Sequence, residues 1–316
     1  MKYCMIEKLT PLPPTVKAGK FPNWNINNLY HRNCPVCNQD IPIPIVTRPD
    51  NFIVHRCSKC NMIYLADIPK PDEIYKFYTY YASFKGLKQA SKFMNYLKLP
   101  KNKIASNKNF FIDILENTGG IKGCSVCDIG CSFGWFLELI RYKGGYPVGV
   151  ELDNNARNIL KKKGIPAFEE IDSNKKYDII CMFQLLEHLV NPSDLLKKVS
   201  SSLLEDGRVL ISVTNAGEFA KIGYTWIGFR VDFEHVNYFD LHSLSNLLLK
   251  HGLIIEHFWE HNQPGVQRII DIKKLENNIV NRSFKFVKSI IKGFLNNRQY
   301  IMQKGTFVLT VLARKI

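Results

Sequence analysis

The sequence lacks any apolar run long enough to cross a membrane, because no stretch approaches the ~18 consecutive apolar residues that a spanning helix needs. Its start, Met-Lys-Tyr-Cys-Met-Ile-Glu-Lys, lacks the apolar core of a secretory signal peptide. Internal repeats and low-complexity tracts are also missing. These absences predict a cytoplasmic globular protein rather than a membrane, secreted, disordered or repeat protein.

Acidic residues are scarce in two segments of the chain. Residues 74–112 contain eight lysines and no acid, and residues 262–316 contain eleven Lys or Arg residues against Asp271 and Glu276. The formal net charge of +15 is therefore concentrated in these segments. Clustered positive charge is compatible with nucleic acid or an anionic lipid surface as a partner.

The nine cysteines do not indicate a disulfide framework, because their number is odd and four of them have the spacing of metal ligands. Two C-x₂-C pairs are separated by nineteen residues, a spacing typical of a four-thiolate zinc site. Four thiolates complete a tetrahedral shell and leave no open position for a substrate. We therefore predict a structural zinc ion bound by Cys34, Cys37, Cys57 and Cys60.

The order of composition and periodicity along the chain predicts several parts. Residues 1–28 are expected to form an irregular, proline-containing arm, residues 29–67 a zinc ribbon, and residues 68–118 a helical linker or cap. From residue 119 to 316, strand-like and helix-like runs alternate, with a basic helical insert at 264–304 before the last strand. This alternation predicts an α/β fold with a doubly wound, Rossmann-like sheet.

The basic insert has an amphipathic pattern in helical projection. Its lysines lie away from an apolar face that contains Phe284, Val287, Ile291, Phe294 and Leu295. Such a helix can make peripheral contact with an anionic membrane. Packing of the apolar face on the protein core is the favoured interpretation, and membrane contact is the alternative.

A strand, a glycine turn and a helix start follow one another in Val126-Cys-Asp-Ile-Gly-Cys-Ser-Phe-Gly-Trp-Phe-Leu137. Glycines at 130 and 134 allow a tight turn and the close approach of a ligand. A dinucleotide loop would also have glycine at the positions of Ser132 and Trp135. The turn therefore predicts a nucleoside cofactor without the geometry of a dinucleotide site.

Two acids define the cofactor that this turn would accept. Asp128, two residues before the first glycine, would repel a pyrophosphate but attract the ammonium and sulfonium groups of S-adenosylmethionine. Glu151 ends the next predicted strand, at about the offset from which a carboxylate reaches ribose hydroxyls. Loop, acids and spacing together favour S-adenosylmethionine.

From about residue 119, the chain resembles class I S-adenosylmethionine-dependent methyltransferases. The resemblance is carried by Asp128-Ile-Gly-Cys-Ser-Phe-Gly134, Val148-Gly-Val-Glu151, Tyr177-Asp-Ile-Ile-Cys-Met-Phe-Gln-Leu-Leu-Glu-His188 and Leu204-Glu-Asp-Gly-Arg-Val-Leu-Ile211. It implies that the cofactor-binding residues are Asp128, Gly130, Cys131, Gly134, Glu151, Leu152, Phe183 and Gln184.

Two positions depart from related patterns. Ser132 replaces the middle glycine that the family usually has, and a small hydroxyl is expected to fit there. Gln184 replaces a carboxylate that the metal-assisted ubiquinone-type O-methyltransferases carry. The second departure argues against a catalytic divalent cation.

Methyl transfer is an in-line displacement from a sulfonium, so the protein must align the nucleophile and, for a hydroxyl, remove its proton. His188 and His235 are the candidate bases, with Glu187 or Glu234 as orienting partners, because imidazole titrates near neutral pH. Each histidine is equally compatible with a helix cap or a bond to a loop carbonyl. For Tyr224, Trp226 and Tyr238, packing in the core or in a lid is the favoured interpretation, and an aromatic wall for a substrate is the alternative.

The chain also resembles, over its whole length, a group of bacterial methyltransferases in which such a ribbon precedes the catalytic domain. This resemblance implies a small-molecule acceptor, with sugars and precursors of surface polysaccharides or secondary metabolites as the expected class. One alternative is an RNA methyltransferase, although Phe183-Gln-Leu-Leu186 is not the turn used to methylate exocyclic base amines. Another is a catalytically inactive cofactor-binding module.

Overall fold

The computed structural model describes residues 24–79, 81, 109–223, 226–230, 232–261 and 306–316. Most of the predicted arm, the central part of the linker and the basic insert at 264–304 lie outside these ranges. None of the described helices combines the length and the apolar character that a bilayer crossing requires.

The N-terminal part is a small antiparallel β module. Strands β2 and β3 form a hairpin, and β3 also pairs with β4. Strand β1 pairs with β5. The strands are β1 (Tyr30–His31), β2 (Pro42–Thr47), β3 (Ile53–Cys57), β4 (Ile63–Leu65) and β5 (Asp67–Ile68).

Two helices and an alternating α/β unit follow this module. The helices are α1 (Pro71–Thr79) and α2 (Phe110–Asn117). The α/β unit then consists of β6 (Ser125–Ile129), α3 (Trp135–Tyr142), β7 (Tyr146–Val150), α4 (Asn154–Lys162), β8 (Ala167–Phe168), β9 (Tyr177–Phe183), a 3₁₀ turn (Leu186–His188), α5 (Pro192–Ser202), β10 (Leu203–Thr214), α6 (Gly217–Ile222), a 3₁₀ turn (Ile227–Phe229), β11 (Asn237–Tyr238), α7 (Leu241–Leu249), β12 (Leu253–His261) and β13 (Val308–Lys315).

The main sheet contains seven described strands in the order β12-β13-β10-β9-β6-β7-β8. Strands β6 to β10 are parallel to their neighbours within this set, and β13 runs antiparallel to both β10 and β12. The predicted α/β, doubly wound, Rossmann-like sheet is confirmed, with an antiparallel strand inserted next to one edge. Because the strand order reverses between β6 and β9, their carboxyl ends border a crevice suited to a ligand.

One helix is shorter than its sequence pattern indicates. The apolar periodicity predicts a helix from Pro192 to Leu204, but α5 ends at Ser202 because Leu203 already pairs with Tyr177 of β9. The register with β9 then shifts before Arg208, where regular pairing resumes. Tertiary pairing therefore overrides the local helical pattern at this end.

The N-terminal module shares its sheet with the α/β unit. Strand β11, which follows β10 in the chain, pairs antiparallel with β4 and completes a four-stranded sheet. The buried guanidinium of Arg32 donates to the carbonyl oxygens of Leu65, Val190 and Val236 and to Oδ1 of Asn237, at 2.7–2.9 Å. Burial lowers the pKa of Arg32 to about 10. The two parts are thus joined by backbone pairing and by an enclosed cation.

Candidate active site

A cavity of about 1390 Å³ lies at the carboxyl ends of the central strands. The ends of β6, β7 and β9 contribute to its lining, as do α1, the N-terminal part of α2 and the segment before β11. It is lined by most of the residues that the sequence predicts for the site: Asp128, Gly130, Cys131, Glu151, Leu152, Phe183, Gln184, His188 and His235. Gly134 and Glu187 are not among its lining residues.

The turn after β6 requires backbone conformations that favour glycine. Gly130, Ser132 and Gly134 have φ values of 76°, 50° and 74°. The amide of Gly130 donates to the carbonyl of Val150 at 2.8 Å, which ties the turn to β7. The left-handed backbone at Ser132 is a strained conformation for a residue with a side chain. The amide of Ser132 donates to Oε2 of Glu151 at 2.8 Å, so the turn also fixes the position of this carboxylate.

Gly134 has a packing role at the start of α3. A Cβ atom built on it would overlap the side chain of Leu160 in α4, and its φ is also positive. The absence of a side chain at Gly134 thus allows α3 and α4 to approach closely, and its predicted contact with the cofactor stays a prediction.

Two buried carboxylates face the cavity from neighbouring strands. Asp128 is 3% exposed, and burial, with the negative charge of Glu151, holds its pKa well above the usual value. Burial also raises the pKa of Glu151, although N–H donors from Asp153 and Ser132 act in the opposite direction. The Asp153 amide donates to Oε1 of Glu151 at 2.9 Å. The pair creates a preference for a cationic ligand.

His188 and His235 lie edge to face with ring centroids 4.6 Å apart. The first follows β9 in a 3₁₀ turn, and the second lies in the segment before β11, so the two meet only in the folded chain. Nδ1 of His188 is 3.4 Å from the carbonyl oxygen of Glu234, and Nδ1 of His235 is 3.4 Å from Oγ1 of Thr214. Both rings border the cavity, where a neutral imidazole can accept a proton.

Glu187 is fully buried behind this histidine pair. Its Oε1 accepts from the amide of Thr214 at 3.2 Å, and its Oε2 has no hydrogen-bond partner in the described part of the chain. Burial raises the pKa of Glu187 to about 8. One carboxylate oxygen of Glu187 and one ring nitrogen each of His188 and His235 lie within 4.8 Å of one another, a donor set that could hold a metal ion.

Tyrosines from the region of α1 form a wall that the sequence did not single out. The Tyr78 ring packs 5.5 Å from that of His188, and its hydroxyl is buried without a partner among the described residues. The hydroxyl of Tyr81 donates to Oε1 of Glu234 at 2.7 Å. The three-residue spacing of Tyr75, Tyr78 and Tyr81 could have indicated a common helix face. Trp226 is fully buried in a core cluster, as the favoured interpretation of core packing expects.

The four ribbon cysteines converge in two short turns. Sγ of Cys34 lies 3.5 Å from Sγ of Cys60, Sγ of Cys37 lies 3.4 Å from Sγ of Cys57, and all four sulfurs lie within 4.8 Å of one another. Asn38 and Asn61 follow the two pairs in left-handed conformations and donate back to the first cysteine of each pair. Four sulfurs around zinc at ~2.3 Å would be about 3.8 Å apart, so this donor set fits the ion.

The family model of the methyltransferase domain matches residues 92–257, more than half of the chain. The match covers the turn after β6, the acids Asp128 and Glu151, and the histidines His188 and His235. The chain therefore belongs to this family, and its α/β part is a class I S-adenosylmethionine-dependent methyltransferase domain.

Several curated proteins and solved structures are similar to the chain. A C-methyltransferase, NovU, of Streptomyces niveus is 26% identical over 62% of this chain and 45% of its own length. A ubiquinone biosynthesis O-methyltransferase of Aeromonas salmonicida is 23% identical over 32% of this chain and 48% of its own. The chain spans about half the length of these relatives. An S-adenosylmethionine-dependent methyltransferase of Mesorhizobium loti aligns with 18% identity and a TM-score of 0.43, over 64% of this chain and 96% of that one.

The buried carboxyl of Glu187 predicts a pH-dependent stability. Its pKa rises from 4.5 in the unfolded chain to about 8 in the folded one, so the folded state binds the extra proton between these values. The free energy of unfolding should therefore fall as pH rises through this window, by roughly 1 kcal/mol per pH unit. In Glu187→Gln this component should be absent, as measured by urea unfolding at about pH 6 and about pH 8. Parallel pH dependences in the wild type and the variant would contradict the assignment, and Glu170→Gln, at an exposed cavity residue, is the control.

Proposed function

We propose that the protein transfers the methyl group of S-adenosylmethionine to a small-molecule acceptor, with a sugar or a precursor of surface polysaccharide or secondary metabolite as the expected class. The observation that carries this proposal is the single cavity that contains the acid pair Asp128 and Glu151 together with the histidine pair His188 and His235. The acids match a cationic nucleoside donor, and the histidines match an acceptor that loses a proton.

The acid pair supports the choice of cofactor. Glu151, held by two backbone amides, has remaining lone pairs that can accept ribose hydroxyls. Asp128 provides a negative charge that attracts the cationic end of the cofactor. Leu152, Phe183 and Gln184 border the same space. When bound, S-adenosylmethionine supplies an electrophilic methyl group on its sulfonium.

The histidine pair supports a general-base step. A neutral imidazole of His235 or His188 would accept the proton that an acceptor loses as the new bond to the methyl carbon forms. Nδ1 of His235 lies 3.4 Å from Oγ1 of Thr214, and Nδ1 of His188 lies 3.4 Å from the carbonyl oxygen of Glu234, contacts that orient the two rings beside the cavity. Neighbouring tyrosines restrict the space in which the acceptor can lie.

The charge of the cavity favours a small molecule over RNA. Among the lining residues that the structure describes, Lys198 is the single Lys or Arg residue, and it pairs with Glu170 at 2.8 Å. The acidic lining residues are Asp128, Glu151, Glu169, Glu170, Asp194, Asp232 and Glu234. Such a lining would repel the phosphates of a polynucleotide. Cytoplasmic location and membrane contact through the insert stay predictions, and the insert lies outside the described residues.

Cofactor binding gives the first test of the function. Glu151→Gln should raise the Kd for S-adenosylmethionine and S-adenosylhomocysteine roughly 10- to 100-fold, because hydrogen bonds to a charged acceptor contribute about 1.5–3 kcal/mol. Isothermal titration calorimetry measures both ligands. Glu170→Gln is the matched control, because this acid lines the same cavity but is exposed and paired with Lys198. Wild-type protein that binds neither ligand would refute the proposal.

Turnover gives the second test. We expect a panel of free sugars, small phenols and ketones to contain a substrate, with S-adenosylhomocysteine formation as the readout. Carbon acceptors belong in the panel because one relative is a C-methyltransferase. His235→Gln should reduce turnover roughly 10²- to 10⁴-fold while cofactor affinity is retained. Turnover of RNA alone would contradict the small-molecule assignment, and cofactor binding without any turnover would favour the inactive module.

The four-cysteine site is the second part of the proposal, and its support is the convergence of four sulfurs. Structural zinc there should contribute to folding. Cys57→Ser should lose the metal, measured by elemental analysis, and should unfold at a lower temperature than the wild type. Cys124→Ser, at a half-buried cysteine outside the ribbon, is the control. A metal content that is unchanged in Cys57→Ser would exclude this site.

A further inference from the structure

The hairpin between β2 and β3 ends in a tight turn that begins at Arg48. The amide of Arg48 donates to the carbonyl of Phe52 at 2.9 Å, and the amide of Asn51 donates to the carbonyl of Arg48 at 3.0 Å. Asn51 has φ of 68°, a left-handed conformation that asparagine tolerates in turns. A turn of this composition is ordinarily exposed, but the Arg48 side chain is 1% exposed.

All five N–H hydrogens of the Arg48 guanidinium are used. Nη1 donates to the carbonyl oxygen of His235 at 2.6 Å and to the Tyr238 hydroxyl at 2.8 Å. Nη2 donates to the carbonyl oxygen of Phe233 at 2.8 Å and to Oδ2 of Asp50, and Nε donates to Oδ1 of Asp50 at 2.9 Å. No other side chain has this set of donors in one plane.

The guanidinium also remains charged in this enclosed position. Burial alone would lower the pKa of Arg48, but Tyr238 and Asp50 raise it above the usual value. The rings of Phe52 and Phe233 lie 5.4 Å and 5.6 Å from the guanidinium carbon. Because Asp50 lies in the same turn as Arg48, the two residues form a bidentate ion pair within the ribbon itself.

The two carbonyl groups that Arg48 holds flank Glu234. They belong to a short turn in which the amide of His235 donates to the carbonyl of Asp232 at 2.9 Å and Asp232 has φ of 51°. Such a conformation persists only where the surroundings enforce it. Two contacts on three consecutive residues restrict the backbone that carries the side chains of Glu234 and His235.

We propose that Arg48 is a positioning residue for the candidate base: from the ribbon, its guanidinium holds the backbone of Phe233 and His235 so that the His235 imidazole faces the cavity. The role of His235 as a base rests on the proposed function. The hydrogen bonds from Arg48 to the carbonyl groups of Phe233 and His235 do not depend on that function. On this proposal, the ribbon contributes to the methyltransferase site by holding the segment that carries His235.

The test uses the full chain with ¹⁵N-labelled histidine, saturated with zinc and S-adenosylhomocysteine. His235→Gln assigns the His235 ring resonances. Arg48→Lys keeps a cation beside Asp50 but has too few donors, in the wrong arrangement, to hold both carbonyl groups. We expect the His235 resonances to shift or double in Arg48→Lys, while those of the remote His31 and His251 stay in place. Arg56→Lys, at an exposed ribbon arginine, should leave all of them unchanged.

A second variant covers the case in which Arg48→Lys does not fold. Arg48→Met combined with Asp50→Asn removes both charges, so no unpaired charge stays buried. The same displacement of the His235 resonances is expected. Once an acceptor is identified, kcat should fall about 10²-fold or less with the Kd of S-adenosylhomocysteine unchanged, the range expected for a base displaced by about 1 Å.

The outcomes separate this proposal from the proposed function. Unchanged His235 resonances in a folded variant would overturn the positioning role. If neither variant binds S-adenosylhomocysteine, Arg48 maintains the whole fold rather than His235 in particular, and the proposal is likewise overturned. If the resonances move but His235→Gln retains full turnover, the positioning by Arg48 stands and the base assignment fails.

Discussion

Two buried carboxylates on adjacent parallel strands impose the main electrostatic constraint on this molecule. Asp128 lies in β6 opposite Gly149 of β7, and Glu151 follows the end of β7 directly. Burial raises the pKa values of both, so each carboxylate is costly to ionise in an empty cavity. A cationic ligand would offset this cost, so the two acids favour a ligand of that charge.

The loops around the cavity hold these acids in place. Ser132 occupies a left-handed conformation that a glycine would adopt more easily, and its amide is thereby directed at Glu151. Position 149 favours glycine, because a Cβ atom there would lie 2.8 Å from Sγ of Cys131. The turn after β6 and the strand β7 therefore approach each other closely, and the acid that follows β7 is fixed by backbone donors instead of by other side chains.

The ribbon contributes to the site through backbone contacts rather than through reactive groups. Arg32 joins β4 to the carbonyl of Val190, which follows the turn that carries His188, and to that of Val236. Strand β11 extends the ribbon sheet directly after the segment that carries His235. The segments that carry His188 and His235 are therefore each hydrogen-bonded to the ribbon a few residues after the histidine. This arrangement explains how a small β module can influence the position of both histidines without lining the cavity with its cysteines.

Sequence reasoning succeeded where a function depends on residues that are near one another in the chain. The strand, turn and helix from Val126 to Leu137 and the strand that ends at Phe183 could be read from local patterns, and the structure has them with nearly the same bounds. The method failed where a role depends on contacts between distant residues. Arg48 and His235 are 187 positions apart, and an arginine in a Pro-Asp-Asn turn has the appearance of an exposed residue. The packing of Gly134 against Leu160 could not be predicted for the same reason, because Leu160 belongs to another helix.

The distribution of charge resolves the apparent conflict between a basic chain and a cationic cofactor. The net charge of +15 comes mainly from residues 74–112 and 262–316, whereas the described lining of the cavity contains seven acidic residues and Lys198. Screening confines the field of each charge to about a Debye length of 8–10 Å, so a ligand in the cleft responds to the charges that line it more than to the net charge of the chain. Overall charge therefore says little about the acceptor of this enzyme family, and the identity of the acceptor depends on the groups that line the cleft.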